Sequence, residues 1–128
     1  MYTEETRGIR VIVEPSYLRE ESKPQEGLYL FAYKVTLVNT GSEMIQLLSR
    51  HWIITDANGQ TREVQGEGVI GQQPVLAPGV TYEYSSFSPL PTPMGKMRGS
   101  YLMKNLTSGE TFKARIPLFF LRDLRDFN

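Results

Sequence analysis

The chain has 128 residues, 40% hydrophobic and 22% charged, with 14 basic residues balanced by 14 acidic ones. A formal charge of zero argues against a dedicated nucleic-acid binder, whose affinity rests on neutralising phosphates. The absence of cysteine excludes a disulfide framework, a thiolate zinc site and a cysteine nucleophile.

At this length a single domain, residues 1–128 with an ordered core over roughly 8–121, buries roughly two thirds of its unfolded surface and needs neither metal nor disulfide to fold. The opening MYTEETRGIR carries acids where a signal peptide has a basic stretch and then an apolar one. No apolar run approaches membrane-spanning length. A cytoplasmic protein with no membrane partner is expected.

Taken in chain order, the dominant pattern is period two. Ile9, Val11 and Val13 alternate with Arg10, Ile12 and Glu14. After the polar connection REESKPQEG, the residues Tyr29, Phe31, Tyr33, Val35 and Leu37 form one face of a long run, with Lys34 and Thr36 on the other. MIQLLSRHWIITD (44–56) predicts a strand with a fault in it. Ile45 and Leu47 share one parity, while Leu48, Trp52 and Ile54 share the other. A bulge adds one residue and reconciles the two. Tyr82 and Tyr84 flank Glu83. Met97, Gly99, Tyr101 and Met103 alternate with Arg98, Ser100 and Lys104, and Phe112, Ala114, Ile116, Leu118 and Phe120 predict the inward face of a closing strand.

Turn chemistry separates these runs: Asn39-Thr40-Gly41, the hairpin signal Asn58-Gly59, Pro78-Gly79 and Ser108-Gly109. Three alternate prolines in SPLPTPMG (88–95) predict an extended edge or a rigid loop. The terminal LRDLRDFN could make one helical turn or fray. Seven to eight strands at this spacing imply an all-β, immunoglobulin-like or fibronectin type III-like antiparallel sandwich. Trp52 is the natural aromatic centre of its core. Tyr82, in LAPGVTY, reads either as a corner tyrosine whose hydroxyl bonds back to the main chain or as an ordinary half-buried strand tyrosine.

Gly66, Gly68 and Gly71 spell G-x-G-x-x-G, the fingerprint of a dinucleotide-binding turn. Such a turn needs a strand before it, a helix after it, and an acid about 20 residues on for the ribose. Thr61–Gln65 supplies a strand. Pro74 and Pro78-Gly79 forbid the helix whose amides and dipole would hold pyrophosphate, and Ser85, Ser86 and Phe87 stand where the acid belongs. The glycines therefore read as loop formers. An anion nest from Gly66 to Gly71 around Glu67, aided by Arg50 or Arg62, is the alternative. Gly95-Lys96 lacks the rest of a P-loop.

His51 is the only histidine and reads as structural or as a surface contact. Asp56, Glu63 and Glu67 offer oxygen ligands that suit magnesium or calcium better than cobalt. They read more simply as solvated strand ends, and Arg50 and Arg62 could pair with them. No metal site, cofactor or catalytic constellation emerges. A rigid sandwich of this kind presents loops and edges to partners.

From about Val11 to Leu121 the chain resembles the ApaG family. The resemblance rests on YLFAYKVTLVNTG (29–41), IQLLSRHWIITDANG (45–59), VQGEGVIGQQPVLAPG (64–79), TPMGKMRGSYLM (92–103) and IPLFFL (116–121). Ser85-Ser86-Phe87 departs from the Ser-Gly step expected after the Tyr-x-Tyr strand. The resemblance implies a fibronectin type III-like sandwich in a free-standing, cytosolic bacterial protein tied to cobalt and magnesium efflux or resistance. Its gene would often lie near that of a dinucleoside tetraphosphate hydrolase. In eukaryotes the same domain is attached to an F-box protein and to a polymerase-interacting protein, which implies a protein-interaction module. A soluble chain cannot itself transport an ion, so any effect on efflux is expected to be indirect, through a protein partner. Nucleotide or pyrophosphate binding by the Gly66–Gly71 loop is the competing expectation.

Overall fold

The computed structural model describes residues 1–123. Nine strands follow one another: β1 (Tyr2–Thr6), β2 (Ile9–Tyr17), β3 (Tyr29–Asn39), β4 (Ile45–Asp56), β5 (Thr61–Glu67), β6 (Val75–Leu76), β7 (Thr81–Leu90), β8 (Gly95–Asn105) and β9 (Thr111–Leu121). A 3-10 turn at Pro24–Glu26 lies within the connection from β2 to β3. The strands form two antiparallel sheets, β1-β2-β3-β7 and β5-β4-β8-β9, with β6 paired to the start of β4. This is the expected sandwich. The two-residue β6 and an unforeseen β1 raise the strand count. Arg7 and Gly8, with φ of 46° and 83°, make the tight turn that folds β1 back on β2.

Alternation does what the sequence predicts along most strands. Val11, Val13, Phe31, Val35, Leu37, Tyr101 and Met103 are fully buried. Trp52 is 2% exposed, and its ring meets Tyr33 and Phe119 edge-on at 5.2 and 5.9 Å. The expected bulge in β4 is present. Leu47 pairs with Met103 and Ser49 with Leu102, leaving Leu48 without an opposite residue.

The closing strand departs from expectation. Met97 pairs with Phe119 and Gly99 with Ile116, so Pro117 and Leu118 together oppose Arg98. Pro117 has no N–H to give the ladder, and a bulge forms there. The extra residue reverses the faces: Phe119 and Leu121 are buried, while Leu118 and Phe120, expected inside, are 45% and 44% exposed. Tyr82 is a half-buried strand tyrosine whose hydroxyl donates to the Gln72 side chain at 3.2 Å, not to the main chain as a corner requires. Ser85-Ser86-Phe87 continues β7 without a turn, and Pro89 is accommodated in the same strand. Beyond Asp123, the LRDLRDFN segment lies outside the described residues.

The two long sides of the sandwich differ. On one, β1 and β2 lie against β9, and the Arg115 amide donates to Thr6 Oγ1 at 3.1 Å. On the other, the sheets end in β5 and β7, which do not pair with each other. This open side positions the candidate site.

Candidate functional site

The glycine segment is a hairpin tip with no helix behind it. Strand β5 leads into it, and the Gly68 amide donates to Leu48 O at 2.8 Å. Val69 and Gln72 exchange N–H···O bonds of 2.8 and 3.0 Å around Ile70-Gly71. Positive φ at both tip residues, 48° and 72°, makes this a type I′ turn. Beyond it the chain runs extended into β6. The amides of Gly68, Val69 and Gln72 are therefore engaged by carbonyls, and no helix dipole gathers at the motif.

Packing explains the remaining glycines. A Cβ on Gly66 would lie 2.8–3.0 Å from the Arg50 guanidinium. A Cβ on Gly68, whose φ is 63°, would overlap the Gln72 carbonyl.

Gly66 thus leaves room for Arg50, which shares the inward parity of Trp52 and Ile54 across from it on β4. Arg50 Nη1 donates to the carbonyls of Glu67 and Gly68 at 3.0 and 2.9 Å. Arg62 reaches across the open side, its Nη2 donating to Pro89 O at 2.9 Å and meeting Ser88 Oγ at 3.4 Å. Neither arginine pairs with the acids proposed for it from the sequence. Among the described residues neither makes any ion pair.

Two cavities of about 240 Å³ each adjoin these guanidinium groups, one toward Tyr84 and Ile70, the other toward Arg62 and Phe87. Tyr33 and Ser86 line both. Burial pushes the Tyr33 phenol up, while its hydrogen bond to Ser86 and the charges of Arg50 and Arg62 pull it down. The cleft is therefore cationic, lined by aromatic and hydroxyl groups.

The six sequence candidates fall into distinct roles. Arg50 and Arg62 supply the charge. Gly66 clears space, Glu67 contributes a carbonyl while its side chain is exposed, and Gly68 and Gly71 shape the hairpin. Tyr33, Tyr84, Ser86, Ile70 and Phe87 join the site without having been singled out for it. The parity shared by Arg50 and Trp52 was the one signal in the sequence that placed a charge between the sheets.

The acids raised as possible ligands lie elsewhere. Asp56 Oδ1 accepts from the amides of Asn58 and Gln60 at 2.8 and 3.1 Å, capping the hairpin from β4 to β5. Glu63 stands on the outer face of β5, its Oε1 3.5 Å from His51 Nε2, an ion-pair separation without hydrogen-bond geometry. His51 borders a shallow outer depression of about 420 Å³ with Gln65, Ser100 and Lys113. No group of three or more His, Asp or Glu among the described residues is placed to hold a metal. No helix among them is long and apolar enough to cross a membrane.

Behind the cleft, the hydroxyls of Tyr84 and Tyr101 are hydrogen-bonded to each other. Burial is the first cause raising both phenols. A folded-state pKa above the unfolded value of about 10 means that only the unfolded chain releases its proton as the pH passes 10. The stability these phenols contribute is complete below about pH 10 and declines above it. Urea titrations from about pH 8 to 11 should show a loss of up to about 1.4 kcal/mol per pH unit for each such phenol. Tyr84→Phe should flatten that decline. An identical pH slope in the variant would contradict the assignment.

Comparison with known proteins agrees with this architecture. A family model described as the ApaG domain matches residues 19–105. Among curated proteins, Protein ApaG of Methylorubrum extorquens (strain PA1) is 55% identical over 121 residues, spanning 94% of this chain and 92% of the relative. Protein ApaG of Rhodospirillum centenum is 54% identical over the same shares. A crystal structure from Bordetella pertussis superposes with a TM-score of 0.87 at 48% identity, covering 97% of both chains.

Proposed function

The chain belongs to the ApaG domain family, and from that premise we propose that it is a non-catalytic binding module that recognises a protein partner through the open side of its sandwich. The carrying observation is the pair of arginines there. Arg50 and Arg62 face a cleft between two unpaired sheet edges, and no carboxylate of the described residues neutralises them. Arg50 is half-buried and Arg62 exposed. A half-buried charge left without a counter-ion is costly, and a partner that brings an acid to Arg50, with Arg62 beside it, recovers that cost on binding. Any bearing on cobalt and magnesium resistance runs through the partner in this reading, since the acids and the histidine of the described residues are dispersed.

The competing reading, an anion or pyrophosphate held at Gly66–Gly71, has less support. The amides of Gly68 and Val69 are already bonded. An anion entering here would be gripped by the guanidinium groups instead.

Site-specific photo-crosslinking in cells tests the proposal. A crosslinker replacing Ser85, exposed on the edge strand that borders the open side, should capture a defined protein, and Arg50→Ala with Arg62→Ala should remove that product. The same crosslinker at Leu118, on the outer face of β9, should not capture it. Identical products from both positions, or none from position 85, would count against an open-side interface.

A further inference from the structure

Resting on that reading, we infer that the partner contributes an extended, acidic segment that adds as a strand to the outer edge of β7. The phase of the β3–β7 ladder shows which groups are free. Asn39 N donates to Val80 O at 3.1 Å, and the register pairs Leu37 with Tyr82 and Val35 with Tyr84. In an antiparallel ladder the N–H and C=O of one residue point the same way and successive residues alternate. The even-numbered residues of β7 therefore bond β3. Thr81, Glu83, Ser85 and Phe87 direct their N–H and C=O groups away from the sheet, where no strand of the described residues meets them.

Natural edges are blunted, and the contrast between the two edges here is informative. Along β5, Arg50 caps the Glu67 carbonyl, and the strand is mostly exposed and polar. On β7 only the far end is blocked, where Pro89 lacks an N–H and Arg62 takes its carbonyl. The stretch from Glu83 to Phe87 is left open. Side-chain bridges frame it, Tyr82 to Gln72 at one end and Arg62 to Pro89 at the other. Five residues of strand correspond to about 16 Å, room for one short extended peptide.

The sides of that slot differ chemically, which fixes the pattern of its occupant. A peptide paired to β7 turns alternate side chains toward the sandwich interior and toward the outer face. The interior side faces Arg50, Arg62, Tyr33 and Ser86. The outer side meets Phe87, which is 63% exposed. At the hairpin tip, Ile70 is 62% exposed at a φ of 48°, a strained conformation for a β-branched residue. It sets an apolar group at the mouth of the slot. The occupant is therefore a segment with Asp or Glu at every second position and apolar residues between them.

The test uses fluorescein-labelled six-residue peptides alternating Glu with Val, compared with peptides of the same composition with the acids clustered. The alternating peptide should bind the full chain at least tenfold more tightly and shift the amide resonances of Thr81–Phe87. Arg50→Ala and Arg62→Ala should each weaken binding about tenfold. Ser85→Pro should abolish it while leaving the fold intact, because that N–H faces outward and makes no ladder bond.

Equal binding of alternating and clustered peptides would overturn the strand-addition inference. So would binding unaffected by Ser85→Pro, or no binding of the alternating peptide at millimolar concentration. Pyrophosphate binding at the arginines without shifts along β7 would assign the slot to a free anion. Self-association abolished by Ser85→Pro would assign it to a second copy of the chain. Either result would overturn the inference. A partner captured at position 85 in cells, together with peptide failure, would leave the binding-module reading standing and remove only this one.

Discussion

Replacing Trp52 with alanine should lower the unfolding free energy by about 3–5 kcal/mol, the range for a buried aromatic cut back to a methyl. Trp52 is 2% exposed and sits on β4 in one sheet, while Tyr33, at 5.2 Å, belongs to β3 in the other. Tyr101 and Phe119 meet it edge-on at 6.4 and 5.9 Å. Truncation removes the transfer free energy of the indole and leaves a void that these three rings, held by their own strands, fill only in part.

The chain has a single tryptophan, so the variant loses its fluorescence reporter and unfolding must be followed by circular dichroism. The urea midpoint should fall with little change in slope, and Trp52→Phe should lose markedly less. Phe120→Ala is the control. It removes a smaller aromatic that is 44% exposed, and the change should stay within about 0.5–1 kcal/mol. If Phe120→Ala proved as costly as Trp52→Ala, the β9 bulge would be misplaced and Phe120 would belong to the core.

That pair of residues also marks where sequence reading succeeds and where it stops. Parity along β2, β3 and β8 is legible because one parity is almost wholly apolar while the other carries Arg10 and Glu14, Lys34 and Thr36, or Arg98, Ser100 and Lys104, and one slip would expose the whole set. The β4 bulge is legible because Ile45 and Leu47 clash in parity with Trp52 and Ile54. In β9 the run IPLFFL is apolar at both parities, so alternation carries no information there. Only Pro117 hints that the ladder breaks. Strand β1 is hidden because YTEET buries Tyr2 only partly and carries an acid on each face, Glu4 beside Tyr2 and Glu5 opposite it, which looks like a solvated tail.

The site was legible in fragments. The prolines after Gly71 correctly forbade a helix, and Arg50 and Arg62 could be named. Their cleft could not be. It exists because β5 and β7 are both sheet edges on one side of the sandwich. That is a property of strand order, to which local periodicity is blind.

Gly99→Ala should cost about 3 kcal/mol, through a mechanism opposite to that of Trp52→Ala. Gly99 sits in the middle of β8, opposite Trp52 on β4 and Ile116 on β9. A Cβ built on it overlaps the carbonyl oxygen of His51 and lies 3.2 Å from Trp52 Cα. These are backbone atoms of a central ladder, so no side chain can swing aside. The added methyl can be accommodated only by parting β4 from β8, which lengthens the ladder bonds on either side of the contact and loosens the packing around Trp52.

Gly109→Ala separates this effect from the general cost of replacing glycine. Gly109 has φ of 78° and open space around its Cβ position, so its substitution carries only the left-handed backbone penalty of about 1–2 kcal/mol. Chemical denaturation of both variants, with near-ultraviolet circular dichroism to report packing, checks the ranking. A Gly99→Ala protein as stable as Gly109→Ala would mean that β4 and β8 do not approach in this register. Arg50, which pairs with Tyr101 two positions along the same ladder, would then lose its assigned face, because a one-residue slip turns it from the cleft to solvent.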